Sequence, residues 1–292
     1  MRTELLKSPF TGADEHCSYW GMKDAQPIYV CSETGALFFD RSKLKEYTYQ
    51  DYYEYLPKFD SKRVQWELIA RKPNLTNQLL EALRFLEKDT CNHLDIGAGP
   101  GYCVKIGQDL GLASIGVEMA EKAIAHGQKW YNVNYSTLEE IDDESIDLIT
   151  CHHVLEHIPD VFEFIALLKS KLTKNGLLIF HVPHQQPLTF LLRDLMNFSK
   201  DAERVCSLYA NIHLSGFTVS SLQKATEIHG FKTLKCISRG MWSKYYDPFF
   251  FRNYVRSKSY GTIGKKATRH VIENFGQLFN LNDWVIGYFQ KM

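Results

Sequence analysis

Net charge is the first thing missing from this 292-residue chain, because 34 Lys and Arg stand against 34 Asp and Glu. Without an overall basic field, nothing draws a polynucleotide or an anionic membrane to the whole protein, and nucleic acid is disfavoured as a partner. Long apolar runs are missing too, and no stretch has the length to span a bilayer. The start, MRTELLKSPFTG, lacks the apolar core of a secretory signal. The seven cysteines (17, 31, 91, 103, 151, 206 and 236) are odd in number and scattered, so no disulfide framework is legible. Together these absences predict a cytoplasmic chain with reduced thiols and no membrane partner. What is present, 45% hydrophobic and 23% charged residues, is enough to bury a core.

Two regions differ in character. Residues 1–62 are turn-rich and then aromatic, with Tyr47, Tyr49, Tyr52, Tyr53 and Tyr55 close together. They read as an N-terminal cap, either plain packing or a tyrosine-lined lid. Residues 63–292 alternate regularly. NLTNQLLEALRFLE (74–87) has helical spacing after Pro73, HLDIG reads as a buried strand, and YCVKIGQDLG as a helix ending at Gly111. SIGVE, a weak segment at 131–133, IDLITCHH, LLIFHVP, FKTLKCIS and DWVIGYFQ supply further strands. MAEKAIAHGQKW, residues 160–172 (stopped by Asn175-Gly176) and FTVSSLQKATEIHG supply helices. The pattern predicts an α/β fold, a Rossmann-like seven-stranded, mostly parallel sheet with helices on both faces. Insertions are expected near 185–210, containing a helix LTFLLRDLMNF, and near 241–281.

The stretch NHLDIGAGPGYC, 92–103, lies between the first strand of this domain and its first helix, where open α/β sheets bind ligands. A triphosphate loop would need GxxxxGK[ST], and no Lys-Ser or Lys-Thr pair follows these glycines. A dinucleotide loop would read GxGxxG, whereas Gly97-Ala98-Gly99-Pro100-Gly101 brings its third glycine one residue early. Asp95, immediately before the loop, would repel a pyrophosphate and suits a cationic group. Glu118, ending the second strand, is placed to accept from both hydroxyls of a ribose. A nucleoside with a cationic amino-acid tail and no phosphate meets these demands, and S-adenosylmethionine is such a molecule.

LDIGAGPG, GVE, DESIDLITCHHVLEHIPD and LTKNGLLIFHVP resemble class I S-adenosylmethionine-dependent methyltransferases, in particular the small-molecule branch of ubiquinone-biosynthesis and sugar methyltransferases. The resemblance covers residues 63–240, and DWVIGYFQK resembles the family's last strand. It implies that Asp95, Gly97 and Gly99 lie along the methionine portion of the cofactor, with Ala98, Gly101 and Tyr102 also among the cofactor-binding residues. Glu118 would take the ribose, Met119 the adenine face, and Tyr135, Ser136 and Thr137 the adenine edge, although the family's usual acid is missing at 135 and 136. Cys151 and His152 would open into the same site.

Methyl transfer requires an acceptor held in line, and a base where the nucleophile must lose a proton. Histidines 152, 153, 181, 184 and 213 fall on the expected side of the sheet. His184 and His213 are the foremost candidates for a catalytic base. Arg193 and Asp194 are candidates for orienting an acceptor. The segment His153-Val-Leu-Glu156-His157 also matches H-x-x-E-H, a zinc-protease pattern, but Pro159 would stop any helix carrying it.

Sugar methyltransferases of the branch often begin with a zinc ribbon, CPxCG…CxxCG. Here the same frame reads Ser8-Pro9-Phe10-Thr11-Gly12 and Cys31-Ser32-Glu33-Thr34-Gly35. Hydroxyls are poor zinc ligands, so the ribbon shape is expected without a metal. The combined reading is methyl transfer to a small-molecule acceptor, with a sugar or sugar nucleotide favoured by the ribbon frame. The alternatives are a non-catalytic cofactor-binding partner or regulatory subunit and, disfavoured by neutral charge and by CHHV in place of Asn/Asp-Pro-Pro-aromatic, an RNA or protein methyltransferase.

Overall fold

The computed structural model describes residues 2–23, 26–40, 61–188, 191–192, 206–208, 213–240 and 276–292. The five clustered tyrosines, Arg193 and Asp194, most of the helix expected at 188–198 and residues 241–275 lie outside them.

Two sheets form the frame. The first is antiparallel: β1 (Thr3–Lys7), β2 (Asp14–Lys23), β3 (Gln26–Val30) and β4 (Leu37–Phe39), with the short β10 (Ser215–Gly216) at its edge. The second has seven strands in the order β11-β12-β9-β8-β5-β6-β7. Its members are β5 (Asn92–Ile96), β6 (Ala113–Val117), β7 (Tyr135–Ser136), β8 (Ile146–His152), β9 (Leu172–Pro183), β11 (Phe231–Arg239) and β12 (Trp284–Lys291). β5 to β9 pair in parallel, while β12 runs antiparallel to both β9 and β11. The chain leaves β5 towards β6 and β7, then returns to β8 on the other side. The carboxyl ends of β5 and β8 therefore flank the topological switch point, where such sheets leave a crevice.

Helices α1 (Ser61–Leu86), α2 (Tyr102–Asp109), α3 (Glu121–Tyr131), α4 (Val161–Lys171) and α5 (Val219–Glu227) complete the layers. Local chemistry sets several of their ends. Asp160 accepts from the N–H of Glu163 to cap α4, and Thr218 and Ser221 form a reciprocal capping box on α5. Glu121 and Lys129 sit at the ends of α3 that match the helix dipole.

Three sequence expectations need correction. α1 runs straight through Pro73 instead of starting beside it. The strand expected at 131–133 is the end of α3 and its left-handed cap at Asn132, φ 52°, and the strand itself is two residues later. The apolar alternation of Tyr131 and Val133 came from that turn, since both side chains are buried. Asn175-Gly176 does not stop α4, which ends at Lys171; Asn175, φ 63°, bends the early part of β9 instead.

The first sheet shares its core with the second. Phe10, Cys17, Tyr29 and Phe38 belong to the same buried cluster as Leu155, Phe180, Phe217 and Phe289. Phe10 meets Phe217 edge-on, with ring centroids 5.6 Å apart. The Phe162 N–H donates to the Pro9 carbonyl at 2.8 Å, and β4 pairs with β10 from far along the chain. Burying such aromatic side chains contributes roughly 2 kcal/mol each, so the N-terminal sheet is energetically part of the whole.

Candidate functional site

The glycine loop supplies the floor of the crevice. Gly97, Gly99 and Gly101 have φ of 67°, 53° and 79°, a region that penalises any Cβ. A Cβ at Gly97 would also stand 2.2 Å from Cγ2 of Val154. The loop amides all turn inward. Those of Gly97 and Ala98 donate to the Val117 carbonyl at 2.9 and 3.0 Å, and that of Gly101 to the Ala98 carbonyl at 2.9 Å. The Gly99 N–H donates to Oε2 of Glu118 at 2.7 Å. Pro100 has no N–H. Residues 97–101 thus aim no amide at a ligand, the reverse of a phosphate-cradling loop.

Carboxylates stand on either side. Asp95, only 3% exposed, is the last residue but one of β5, and its Oδ1 accepts from the Thr150 hydroxyl at 2.6 Å. His152 Nδ1 lies 3.7 Å from the same oxygen. Glu118 bonds to Gly99 with one oxygen and accepts from the N–H groups of Met119 and Ala120, at 2.8 and 2.9 Å, with the other. It ties the loop to the end of β6, and ribose hydroxyls would share its remaining acceptor capacity. Met119 beside it is 77% exposed, an apolar surface at the rim of the crevice.

The adenine-edge segment contains a surprise in each direction. Tyr135 lies under the loop, and its hydroxyl donates to the Gly99 carbonyl at 2.9 Å. The space for it comes from Gly127, where a Cβ would fall 2.0 Å from that oxygen. Burial, then the charges of Glu118 and Asp95, push this phenol above its ordinary pKa. An acid from further along the chain, Glu140, closes on the same segment. Its carboxylate accepts from the Thr137 N–H at 3.0 Å and the Ser136 hydroxyl at 2.8 Å, and these bonds hold it below the usual carboxylate pKa.

Two other predicted contacts point elsewhere. The Tyr102 ring packs 5.7 Å from that of Tyr131, beneath the Arg71 guanidinium at 5.5 Å. Cys151 is fully buried in the core, and burial drives its thiol pKa well up.

The histidines separate by burial. His184, 2% exposed, forms a bridge with Phe217, and its Nδ1 accepts from the Gln186 N–H at 3.1 Å. Burial drives its pKa down to about 4, so the expected base is neither exposed nor basic enough near neutral pH. His213 has Nδ1 2.7 Å from the Ser207 carbonyl and its ring 4.9 Å from that of His157. Burial removes His184 from the role the sequence suggested. His181 is also buried, and its pKa falls well below the ordinary value for that reason, with His153, His152, Arg71 and Arg239 adding to the effect.

His153 differs. Its φ is 57°, its side chain is 34% exposed, and its ring lies 4.6 Å from His181 and 4.7 Å from Trp284. Its Nδ1 faces the buried Glu156 carboxylate at 3.6 Å, and His157 Nε2 approaches the same carboxylate at 3.9 Å. Burial raises the Glu156 pKa, but the surrounding imidazoles of His153, His157 and His213 outweigh it and hold the carboxyl below its usual range. The segment is one 3-10 turn, Leu155–His157, so His153 and His157 do not project from a common α-helix as H-x-x-E-H zinc chemistry requires. Among the described residues, Glu156, His157 and His213 are one of two groups whose ligand atoms converge within 4.8 Å, the other being His93, Asp95 and Cys103.

The family model for a methyltransferase domain matches residues 38–235. The chain belongs to this methyltransferase domain family. Ubiquinone biosynthesis O-methyltransferases of Glaesserella parasuis and Hahella chejuensis are each 31% identical, over 113 and 108 residues. Those matches take in 34% of this chain and 48% and 45% of the relatives, so the chain spans about half the length of the curated relatives it matches. Two solved structures share the fold at TM-score 0.50: a SAM-dependent methyltransferase from Archaeoglobus fulgidus and geranyl diphosphate C-methyltransferase from Streptomyces coelicolor. The first is 18% identical and covers 80% of this chain and 100% of its own. The second is 15% identical, with 82% and 86% covered. No helix among the described residues of this methyltransferase-family chain is long and apolar enough to cross a membrane.

Within the family fold, the sequence reading brought Asp95, the three glycines, Glu118, Met119, Ser136, Thr137 and His152 to one edge of the sheet. It did not single out Glu140, whose signal was an acid a few residues beyond a Ser-Thr pair, or Glu156, and it placed His153 among the candidate histidines but behind His184 and His213.

Proposed function

We propose that this chain transfers a methyl group from S-adenosylmethionine to a hydroxyl-bearing small molecule. The observation that carries the proposal is the loop 97–101 with every amide turned inward, beside the buried Asp95. Such a surface rejects phosphate and accepts a cationic amino-acid group. The donor set fits the cofactor: Asp95 and the backbone near Gly97 and Gly99 for the amino-acid portion, Glu118 for the ribose, Met119 for the adenine face, and Ser136, Thr137 and Glu140 for its edge. When bound, the sulfonium supplies a methyl group on a good leaving group.

The protein's share is to hold the acceptor and take its proton. We assign the base to His153, whose side chain is 34% exposed against 15% for His152 and which has a carboxylate behind it. Glu156 at Nδ1 favours the tautomer that leaves Nε2 to accept a proton from the acceptor. The names of the relatives support oxygen as the methylated atom. The sugar or sugar-nucleotide acceptor rests on the ribbon frame alone, and so does our reading of the N-terminal sheet as a ribbon-like cap. We divide the chain into that cap, 1–62, and a methyltransferase domain, 63–292, with insertions near 185–210 and 241–281.

The test is methyl transfer from radiolabelled donor to a panel of phenols, sugars and sugar nucleotides. Transfer to one class that is lost in His153→Gln supports the proposal. Cofactor binding without turnover across the panel would instead favour a partner or regulatory subunit.

A further inference from the structure

His93 is the one ionisable side chain besides Asp95 in the sequence NHLDI of β5, and it is completely buried. An imidazole in the centre of a parallel sheet needs partners for both ring nitrogens. It has them: Nδ1 lies 2.9 Å from the Ser114 hydroxyl on β6, and Nε2 lies 2.9 Å from the Thr150 hydroxyl on β8. Space is reserved for this contact, because a Cβ at Gly107 of α2 would fall 2.2 Å from Ser114 Oγ and 2.9 Å from His93 Nδ1.

The direction of each bond follows from proton counting. Asp95 has only acceptors to offer when ionised, so at 2.6 Å the single hydroxyl proton of Thr150 must go to it. Thr150 Oγ1 can then only accept from His93, which therefore carries its proton on Nε2. Nδ1 is left as an acceptor for the Ser114 hydroxyl. Cys103 Sγ, 3.7 Å from Thr150 Oγ1, approaches its second lone pair. Burial holds the imidazole pKa at about 4, despite the opposing pull of Asp95, which agrees with a neutral ring. With both nitrogens committed, the His93, Asp95 and Cys103 group is a hydrogen-bond chain.

We infer that Ser114, His93 and Thr150 form a one-way relay across three strands that positions the Asp95 carboxylate for the cationic end of the cofactor. The inference rests on the function proposed above. Every dipole in the relay points its positive end at Asp95, so the carboxylate is held on one side by a hydroxyl whose own acceptor site is filled. Ser114, His93 and Thr150 are positioning residues, and none of them touches the cofactor.

The test joins a spectroscopic and a binding measurement. Two-bond proton–nitrogen spectra of imidazole-labelled, ligand-free protein, with His93→Gln to assign the ring, should show the His93 ring neutral and protonated on Nε2 at pH 7. Ser114→Ala and Thr150→Val should each perturb that signal, and Thr150→Ser should preserve it. In calorimetry with S-adenosylhomocysteine and S-adenosylmethionine, Thr150→Val should weaken binding about 10-fold and Thr150→Ser should restore it. A His93 ring protonated on Nδ1, or unchanged affinity in a folded Thr150→Val, would overturn the relay. If Thr150→Val does not fold, the Ser114→Ala spectrum and affinity decide in the same way. A wild-type protein that binds neither compound would instead overturn the proposed function, while the ligand-free spectrum still judges the relay.

Discussion

Two glycine turns in this molecule are closed by a carboxylate, and they end as different things. In the crevice, Glu118 gathers the N–H groups of Gly99, Met119 and Ala120. In the N-terminal sheet, Glu15 gathers the Thr11 hydroxyl at 2.9 Å, the Ser32 N–H at 2.9 Å and the Ser32 hydroxyl, beside the Cys31 thiol. Both turns use left-handed glycines, Gly12 and Gly35 in the second case with φ of 70° and 76°. The difference is what surrounds them. The first loop sits at the carboxyl edge of a parallel sheet, next to buried Asp95 and exposed Met119. The second is filled by its own hydroxyls, and its bonds hold the Glu15 pKa down to about 2 despite partial burial. A turn closed on a carboxylate makes a binding site only where the fold leaves a crevice beside it.

Substitutions can break this comparison, beginning with the largest effect. His153→Gln should lower kcat about 10²-fold while leaving cofactor affinity unchanged, whereas His184→Asn should spare kcat in whatever folded protein is obtained. Steady-state rates with the acceptor found in the screen would show the contrast, and equal losses would remove His153 from its role. Gly97→Ala should cost about 3 kcal/mol of stability, because φ is positive and Val154 occupies the space. Gly35, also left-handed but with nothing within 4 Å of a Cβ, should tolerate alanine better, as urea midpoints would reveal.

Glu118→Gln should weaken cofactor binding about 10-fold by calorimetry, since one oxygen is replaced by a donor facing an N–H. Glu15→Gln should cost about 1 kcal/mol in a urea titration, with cofactor affinity unchanged. If the two substitutions exchanged these effects, the distinction between a crevice and a closed turn would be lost.

Acid should act on the two regions in sequence. His93 and His184 have folded pKa values of about 4 against an ordinary 6.5, and burial lowers that of His181 as well. The unfolded chain binds more protons in that interval, so stability rises with pH from about 4 to 6.5 and falls on acidification. The Glu15 contribution is present above about 4.5 and is lost as the pH drops towards 2. Urea midpoints at pH 7, 5.5 and 4.5 should decline before Glu15 titrates, and a flat profile would contradict the buried neutral histidines.

The legible part of the site was the part made by local backbone chemistry. Glycines at alternate positions, an acid before them and an acid ending the next strand stand close together in sequence, so Asp95, the loop and Glu118 could be read directly. Tyr135 could not, because its place depends on the missing Cβ of Gly127 and Gly116 on neighbouring elements. His184 looked available beside Pro183 until the bridge to Phe217 buried it. The union of the two sheets through β10 pairs residues about 180 apart in sequence, which no periodicity reports. His93 gave no sign at all, since a histidine within an apolar strand shows nothing of the hydroxyls on the strands beside it.

The central claim is that the crevice selects a cationic, phosphate-free nucleoside through Asp95. Titration calorimetry of wild type and Asp95→Ala against S-adenosylmethionine, NAD and ATP tests it most directly. The account predicts binding of S-adenosylmethionine alone, weakened at least about 10-fold in Asp95→Ala. Binding of NAD or ATP in its place, or an Asp95→Ala protein with undiminished affinity for S-adenosylmethionine, would contradict it.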